Sequence, residues 1–321
     1  MQTKEDIQLE QFARDVQAGL SSSPKYLPSR YFYDEKGDLL FQRIMALDEY
    51  YPTRCEFDIF NTHKAAILEA FAQGGATFNV IEFGAGDGMK TKVLLRHFIE
   101  QAASFRYLPI DISQNVLNQL SDALGDELPG LEVRPLQGEY FTALKALGKD
   151  EGRRIVLFLG SNIGNFNEAM ALRFLRQLGD NLQPDDMLMI GMDLKKDPKL
   201  ILDAYNDKEG VTRQFNMNLL QRINDELDAN FSIDSFVHWP QYNPISGECR
   251  SFLVSKHDQE VTIGHLNETF EFKAWEAINM EVSQKYDLDD LTSLANKSGF
   301  EVTKNLYDKD NYFVDSIWRK V

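Results

Sequence analysis

The apolar positions between residues 56 and 195 follow two alternating periodicities. Short β-rich runs predict five strands: FNVIEF (78–83), FRYLPID (105–111), LEVRPLQG (131–138), RIVLFLG (154–160) and DMLMIGMDL (186–194). Between them lie segments with apolar residues at helical spacing, such as NEAMALRFLRQLGDNL (167–182). Strands that alternate with helices predict a parallel, doubly wound sheet.

The pattern of apolar positions before residue 56 and after residue 195 differs from that of the region between them. An amphipathic helix is predicted over 6–20, and residues 196–235 are also helical in pattern. The aromatic-rich segment 31–52 fits either a packed helical cap or the lid of a small-molecule pocket. Short strands follow from 236 to about 278, and a helix and a strand pair occupy 287–321. We therefore predict an α/β protein with a Rossmann-like sheet domain (56–195 and 285–321) and a second, α+β domain (1–55 and 196–284).

Composition and charge narrow the classes of partner. The 321 residues carry a formal net charge of −16 and give a pI of about 4.8. Nucleic acids and anionic membranes require a basic surface, so we expect neither as a partner. The opening segment MQTKEDIQLEQFARDV lacks the apolar core of a signal peptide, and no apolar run is long enough for a membrane span. These features predict a cytoplasmic protein.

Cysteine and histidine usage gives no sign of a metal site. Cys55 and Cys249 are far apart, and the five histidines are scattered without close ligand spacing. We therefore expect reduced cysteines and no metal. The sequence does not fix the oligomeric state and is compatible with a monomer.

A glycine loop follows the first predicted strand. The segment VIEFGAGDG (80–88) places Gly84 and Gly86 where backbone must turn tightly and lie against a ligand. Its GxGxG spacing differs from the GxGxxG of dinucleotide sites, which makes a dinucleotide oxidoreductase a poor fit. The acidic residue before the first glycine is typical of loops that bind S-adenosylmethionine (SAM).

Three further strand ends carry polar chemistry. Asp111 ends the second strand, where ribose hydroxyls fall in a doubly wound sheet. Glu139 and Tyr140 end the third, as a carboxylate and a ring that could bracket an adenine. The fourth ends in GSNIGN (160–165). Four such features at the ligand-binding edge of one sheet predict a SAM site.

Together with their flanks, these segments resemble the histidine-specific SAM-dependent methyltransferase family, which includes the enzymes that make hercynine on the route to ergothioneine. The resemblance covers nearly the whole chain. Its segments are LPSRYFYDEKGDLLFQRI…EYYPTR (27–54), VIEFGAGDGMKTKVLL (80–95), YLPIDIS (107–113), FLGSNIGNF (158–166), MDLKKDP…AYND…GVTRQFNMNLL (192–220) and MEVSQKY (280–286).

The resemblance implies a role for individual residues of this chain. SAM contacts are implied for Gly84, Lys90, Asp111, Glu139 and Tyr140, and substrate contacts for Tyr33, Tyr50, Asn165, Tyr205, Glu281 and Ser283. Among the substrate contacts, Tyr50, Asn165 and Tyr205 would hold the α-amino and carboxylate groups, while Glu281 and Ser283 would bond the imidazole. Glu139-Tyr140 stands where the family has Asp-Phe, and this change keeps a carboxylate and a ring.

The expected chemistry is methyl transfer from SAM to the α-amino group of histidine. The amine must be neutral and aligned with the methyl group, and such positioning can supply roughly 7–11 kcal/mol of the barrier. We expect Asn165 to orient the amine together with a tyrosine, Tyr33 or Tyr50, because an amide oxygen accepts an N–H bond without carrying charge. No metal or covalent intermediate is needed.

One departure from the family pattern leaves the substrate open. Histidine enzymes tend to carry a methionine in the strand before the Glu-x-Ser motif, and this chain has Ser251 at the nearest equivalent position. A methyltransferase acting on another amino acid or small amine is therefore an alternative. A second alternative is a non-catalytic protein that binds SAM or an amino acid, although intact loop glycines and Asn165 disfavour it.

Overall fold

The computed structural model describes residues 4–75, 77–111, 113–146 and 152–321. Ile112, within the YLPIDIS segment, lies outside these ranges. The helices of the described chain are α1 (Lys4–Ser21), α2 (Glu35–Met45), α3 (Tyr51–Phe71), α4 (Thr91–Glu100), α5 (Gln114–Glu127), α6 (Tyr140–Ala146), α7 (Glu168–Asp180), α8 (Pro198–Ala204), α9 (Val211–Leu227) and α10 (Leu288–Lys297).

The strands are β1 (Phe78–Phe83), β2 (Phe105–Asp111), β3 (Leu136–Gln137), β4 (Arg153–Phe158), β5 (Met187–Asp193), β6 (Phe236–Tyr242), β7 (Glu248–Ser255), β8 (Gln259–Ile263), β9 (Glu268–Phe272), β10 (Ala277–Gln284), β11 (Phe300–Tyr307) and β12 (Phe313–Lys320). The first two have the bounds that the sequence predicts, because each is a short run rich in apolar and aromatic residues that ends at a glycine loop or at an acidic residue.

The chain divides into two compact units. Unit 1 comprises Met1–Tyr51 and Lys196–Ser283, and unit 2 comprises Pro52–Lys195 and Gln284–Val321. The sequence places the corresponding boundaries after residues 55, 195 and 284. No helix of the described ranges combines the length and the apolarity that a membrane crossing requires.

Unit 2 is built on a seven-stranded sheet of order β11-β12-β5-β4-β1-β2-β3. The five strands from β1 to β5 run parallel, and β12 pairs antiparallel with both β5 and β11. Every residue of β1 and β5 is buried, as expected for strands covered by helices on both faces. The strand order reverses between β1 and β4, which confirms the predicted doubly wound α/β fold.

The third strand of this sheet is much shorter than predicted. The sequence predicts a strand over 131–138, but only Leu136–Gln137 pair with β2, beside an isolated bridge between Val133 and Tyr107. This strand forms the sheet edge, and Pro135, directly before it, has no N–H to donate to the ladder. Tyr140, predicted to lie at the end of this strand, instead begins α6.

Unit 1 combines helices with two small sheets. One sheet has the order β10-β7-β6, and the other is the antiparallel pair β8-β9. The predicted helical region 196–235 is broken after α8, because Gly210 adopts a left-handed conformation (φ 68°) and Asp207 accepts the amides of Val211 and Thr212, both at 2.8 Å. These bonds fix the start of α9, whose apolar face packs into the core of this unit.

Candidate active site

Residues predicted to bind SAM, and Asn165, which is predicted to orient the substrate amine, lie along the carboxyl-terminal edge of the unit 2 sheet. Gly84 directly follows β1, Asp111 is the last residue of β2, and Asn165 ends a 3-10 turn (Asn162–Asn165) after β4. In a doubly wound sheet, ligands bind at this edge, in the crevice where the strand order reverses. That crevice lies between the loops that follow β1 and β4.

The glycine loop has the geometry of a cradle for a ligand. Gly84 and Gly86 adopt φ values of 68° and 54°, which favour glycine, and both are exposed. A Cβ atom at Gly84 would lie 3.0 Å from the hydroxyl oxygen of Tyr140, whereas one at Gly86 would meet nothing within 4 Å. The loop is therefore closely packed on one side and open above Gly86.

Glu82, the acidic residue before the loop, is a buried structural anchor. Its carboxylate accepts hydrogen bonds from Tyr107 and, at 2.7 Å, from Thr91. Burial raises the pKa of Glu82 to about 7, although both hydroxyl donors and nearby Lys90 act in the opposite direction. Glu82 thus joins β1, β2 and the start of α4 behind the glycine loop.

Tyr140 and two carboxylates gather beside Gly84. The Tyr140 ring stacks on Phe83 with centroids 4.6 Å apart and planes 4° from parallel. Burial raises the pKa of Tyr140 to about 12, and the negative charges of Asp111 and Glu139 act in the same direction. The fold therefore brings together four of the six predicted cofactor residues.

Lys90 contacts a partner that the sequence did not reveal. Its ammonium group forms an ion pair with Glu56 of α3, whose side chain is fully buried. The other carboxylate oxygen of Glu56 accepts the amide of Gly160 at 2.7 Å. Asp315 of β12 completes the cluster: its side chain is also fully buried, and Glu56 and Lys90 both act on its pKa. These groups come from four separate segments, so no local motif could have indicated them.

The loop that carries Asn165 is held on several sides. Ser161 accepts the amide of Asp193 at 3.0 Å, and Tyr286 donates to the carbonyl of Ile163 at 3.3 Å. Gly164 packs so closely that a Cβ atom there would lie 2.9 Å from the carbonyl oxygen of Gln284.

A buried ion pair reinforces this region. Lys285 and Asp193 approach to 2.8 Å with side chains 1% and 0% exposed. Their backbones belong to adjacent segments, since Leu194 and Tyr286 form a parallel bridge. Asn165 therefore projects from a loop that is fixed against the segment Gln284–Tyr286.

Within unit 1, the predicted substrate residues form a connected aromatic and hydroxyl cluster. Tyr33 and Tyr50 lie edge-on to Phe41, with centroid distances of 5.7 Å and 6.4 Å. Tyr50 is in turn edge-on to Tyr205 at 6.5 Å, and the Tyr205 hydroxyl donates to Ser283 at 2.8 Å. Residues far apart in the sequence are thus brought together.

Glu281 lies on β10, two residues before Ser283, and is half-buried. Burial along β10 alternates up to Met280 and resumes at Ser283 with the opposite parity. Glu281 therefore lies where the alternation of buried and half-buried side chains shifts by one residue.

Ser251 has a polar partner on the neighbouring strand. It is buried in β7, and its hydroxyl lies 3.3 Å from Nε2 of His238 on β6. Burial lowers the pKa of His238 to about 4, so the imidazole is neutral at physiological pH. A neutral polar pair thus stands where the family pattern leads us to expect a thioether.

Comparisons with known proteins cover nearly the whole chain. A family model described as a SAM-dependent, histidine-specific methyltransferase matches residues 12–320. A histidine N-alpha-methyltransferase of Mycolicibacterium smegmatis is 38% identical over 93% of this chain and 91% of that protein. An N-methyltransferase of Aspergillus flavus is 30% identical over 93% of this chain and 82% of its own length. The ergothioneine biosynthesis protein 1 of Neurospora crassa is 31% identical over 87% of this chain, which corresponds to 31% of that protein.

Proposed function

This chain belongs to the family of SAM-dependent, histidine-specific methyltransferases, and we propose that it methylates the α-amino group of L-histidine with the trimethyl betaine hercynine as the final product. The match over residues 12–320 carries this conclusion, because it spans both the glycine loop and the segments of unit 1. The resemblance to an ergothioneine biosynthesis protein supports a role in that pathway.

Unit 2 is proposed as the SAM-binding domain and unit 1 as the substrate-binding domain. Gly84, Gly86, Asp111, Glu139 and Tyr140 would hold SAM, and the exposed, positive-φ glycines beside a carboxylate fit a ligand with an amino-acid tail and a ribose. When bound, SAM supplies an electrophilic methyl group. Lys90 is proposed to act at the same edge, from its ion pair with Glu56.

Asn165 and Tyr33 are proposed to orient the substrate amine. The Asn165 amide oxygen accepts an N–H bond, which directs the lone pair of the neutral amine without introducing a charge. Tyrosine rings at Tyr33 and Tyr50 stabilise the cationic methylated product through their faces. Before each transfer the ammonium form of the amine loses one proton to solvent water, because only the neutral amine has a lone pair that can accept the methyl group. Further rounds need more space around nitrogen, with no change in chemistry.

Selection of the amino acid is assigned to the hydroxyl cluster and Glu281. Tyr50 and Tyr205 would hold the backbone groups of the substrate, with Asn165. Glu281 and Ser283 would pair with the imidazole N–H groups. A buried acceptor left unmatched by an analogue without N–H donors disfavours that analogue strongly.

The proposed setting is a small-molecule enzyme of the cytoplasm that acts without nucleic acid or membrane. Cys55 and Cys249 are both buried and are not in a disulfide, which fits a reducing compartment. The substrate is an amino acid.

A second candidate is the same reaction on a different amino acid or small amine. The Ser251–His238 pair favours it, because a buried polar pair can recognise a side chain other than imidazole.

The test is a mass-spectrometric assay of the purified protein with SAM and each of the twenty amino acids. A mass gain on histidine alone, ending at three methyl groups, is the expected result. Gain on another amino acid would support the second candidate. Loss of all transfer despite measured SAM binding would support a non-catalytic binding protein.

A further inference from the structure

One side chain, that of Glu56, contacts both of the loops that flank the crevice of unit 2. Lys90 closes the loop after β1, and Gly160 opens the loop after β4. Glu56 contacts both, through Oε2 with the Lys90 ammonium and through Oε1 with the Gly160 amide at 2.7 Å. The strand order reverses between these two strands, so Glu56 joins the loops that form the walls of the ligand crevice.

A glycine in the neighbouring strand β5 leaves space for the carboxylate of Glu56. A Cβ atom at Gly191 of β5 would lie 2.5 Å from Oε1 of Glu56. The same Cβ atom would lie 3.1 Å from two ring carbons of Phe313. Gly191 is buried within a strand, so the glycine is explained by the space that Glu56 and Phe313 occupy, with Glu56 the nearer of the two.

Two buried carboxyl groups, those of Glu56 and Asp315, interact with Lys90 in different ways. Both oxygens of Asp315 are buried without a hydrogen-bond partner in the described chain. Burial, and then the charge of Glu56, hold the pKa of Asp315 well above its usual range, which favours the neutral form of this carboxyl group. Burial alone would lower the pKa of Lys90, but the contact with Glu56 outweighs this and raises it. Glu56, whose Oε2 contacts the ammonium group directly, is therefore the partner of Lys90.

We propose that Glu56 is a positioning residue for SAM: it sets the separation of the Gly84–Lys90 and Gly160–Asn165 loops. This inference rests on the proposed function only in taking SAM as the ligand of the crevice. Glu56 acts through Lys90 and Gly160, and it contacts neither substrate nor cofactor.

The experiment is calorimetric titration of the full-length protein with SAM, without amino-acid substrate. Glu56→Gln is expected to weaken SAM binding about tenfold, because a charge-assisted contact is lost at one loop. Glu69→Gln, on the exposed face of the same helix, is the matched charge control and should stay within about twofold. Asp315→Asn, which resembles the neutral acid, should also stay within about twofold.

A second variant tests geometry with every charge retained. Gly191→Ala places a methyl group against Oε1 of Glu56 and is expected to weaken SAM binding by a similar factor of about ten. Thermal denaturation of each variant identifies the folded fraction. Folded Glu56→Gln or Gly191→Ala that binds SAM as tightly as Glu69→Gln overturns the proposal and leaves Glu56 a role in folding alone. Equal weakening by Asp315→Asn would also overturn it.

These outcomes are separate from the proposed function. If the wild-type protein binds SAM but transfers no methyl group to histidine, the proposed function fails while the effect of Glu56 on SAM binding remains measurable.

Discussion

Tyr205 donates a hydrogen bond from its hydroxyl to Ser283 over 2.8 Å, although 78 residues separate the two in sequence. Both are proposed to contact the substrate, so each hydroxyl holds the other in place. The contributions of Tyr205 and Ser283 to substrate binding are therefore expected to depend on each other.

Tyr205→Phe and Ser283→Ala are each expected to weaken histidine binding about two- to tenfold, the usual worth of one neutral hydrogen bond. The double variant should be weaker by less than the product of the two effects, because either change already breaks the shared bond. Histidine titration of all four proteins measures this coupling. Strictly additive free energies would mean that the two hydroxyls act independently.

Asn165→Ala should lower kcat by about 100-fold, because misplacement of the reacting amine on this scale is typical when a positioning group is lost. The matched control is Asn162→Ala in the same 3-10 turn, where the side chain is exposed and kcat should change less than about twofold. SAM affinity should remain that of the wild type in both. Full turnover by the Asn165 variant would remove this residue from the mechanism.

Glu281→Ala is expected to raise the dissociation constant for histidine by roughly 10- to 100-fold, as for hydrogen bonds to a charged group. The variant should also discriminate less between histidine and phenylalanine, which lacks side-chain N–H donors. Glu271→Ala, exposed on β9 of the same unit, is the control. Unchanged histidine affinity would contradict the selecting role.

Glu82 predicts a pH-dependent stability. Its carboxyl titrates at about 7 when buried in the folded protein, against 4.5 in the unfolded chain. The folded state thus binds this proton more tightly, so the free energy of unfolding falls as pH rises between these values. Full ionisation costs roughly 3 kcal/mol, to order of magnitude.

Glu82→Gln cannot ionise, and all other titrating groups are common to both proteins. Relative to this variant, the wild type should lose roughly 3 kcal/mol of unfolding free energy from about pH 4.5 to about pH 8. Urea denaturation at a series of pH values measures the difference. A constant difference across the range would show that Glu82 titrates alike in the folded and unfolded states.

The parallel strands β1, β2, β4 and β5 of unit 2 were predictable because each is a short run rich in apolar residues between helical segments. Pro135 marks where that reasoning failed: the segment 131–138 is apolar enough for a strand, but it lies at an edge and lacks one donor. The apolar periodicity of residues 196–235 predicted a helical region, but it did not show that the chain breaks between α8 and α9. The left-handed Gly210 before α9 explains this break.

Some residues of the candidate site could be predicted from local sequence patterns, and others could not. Gly84, Asp111 and Tyr140 follow strand ends and could be located from local patterns. Glu56 could not, because its contacts with Lys90 and Gly160 span 34 and 104 residues. Buried charge pairs depend on the folded topology, and a single sequence does not display it.

The position of β12 has a consequence for how the chain is made. This strand lies between β5 and β11, and its Trp318 is fully buried. On the ribosome, β5 emerges long before residues 313–320 and presents an open sheet edge until they arrive. Such an edge is prone to pairing with other chains. The β5 edge is therefore an aggregation hazard while the intervening residues 194–312 are being made, and pairing with β12 covers it.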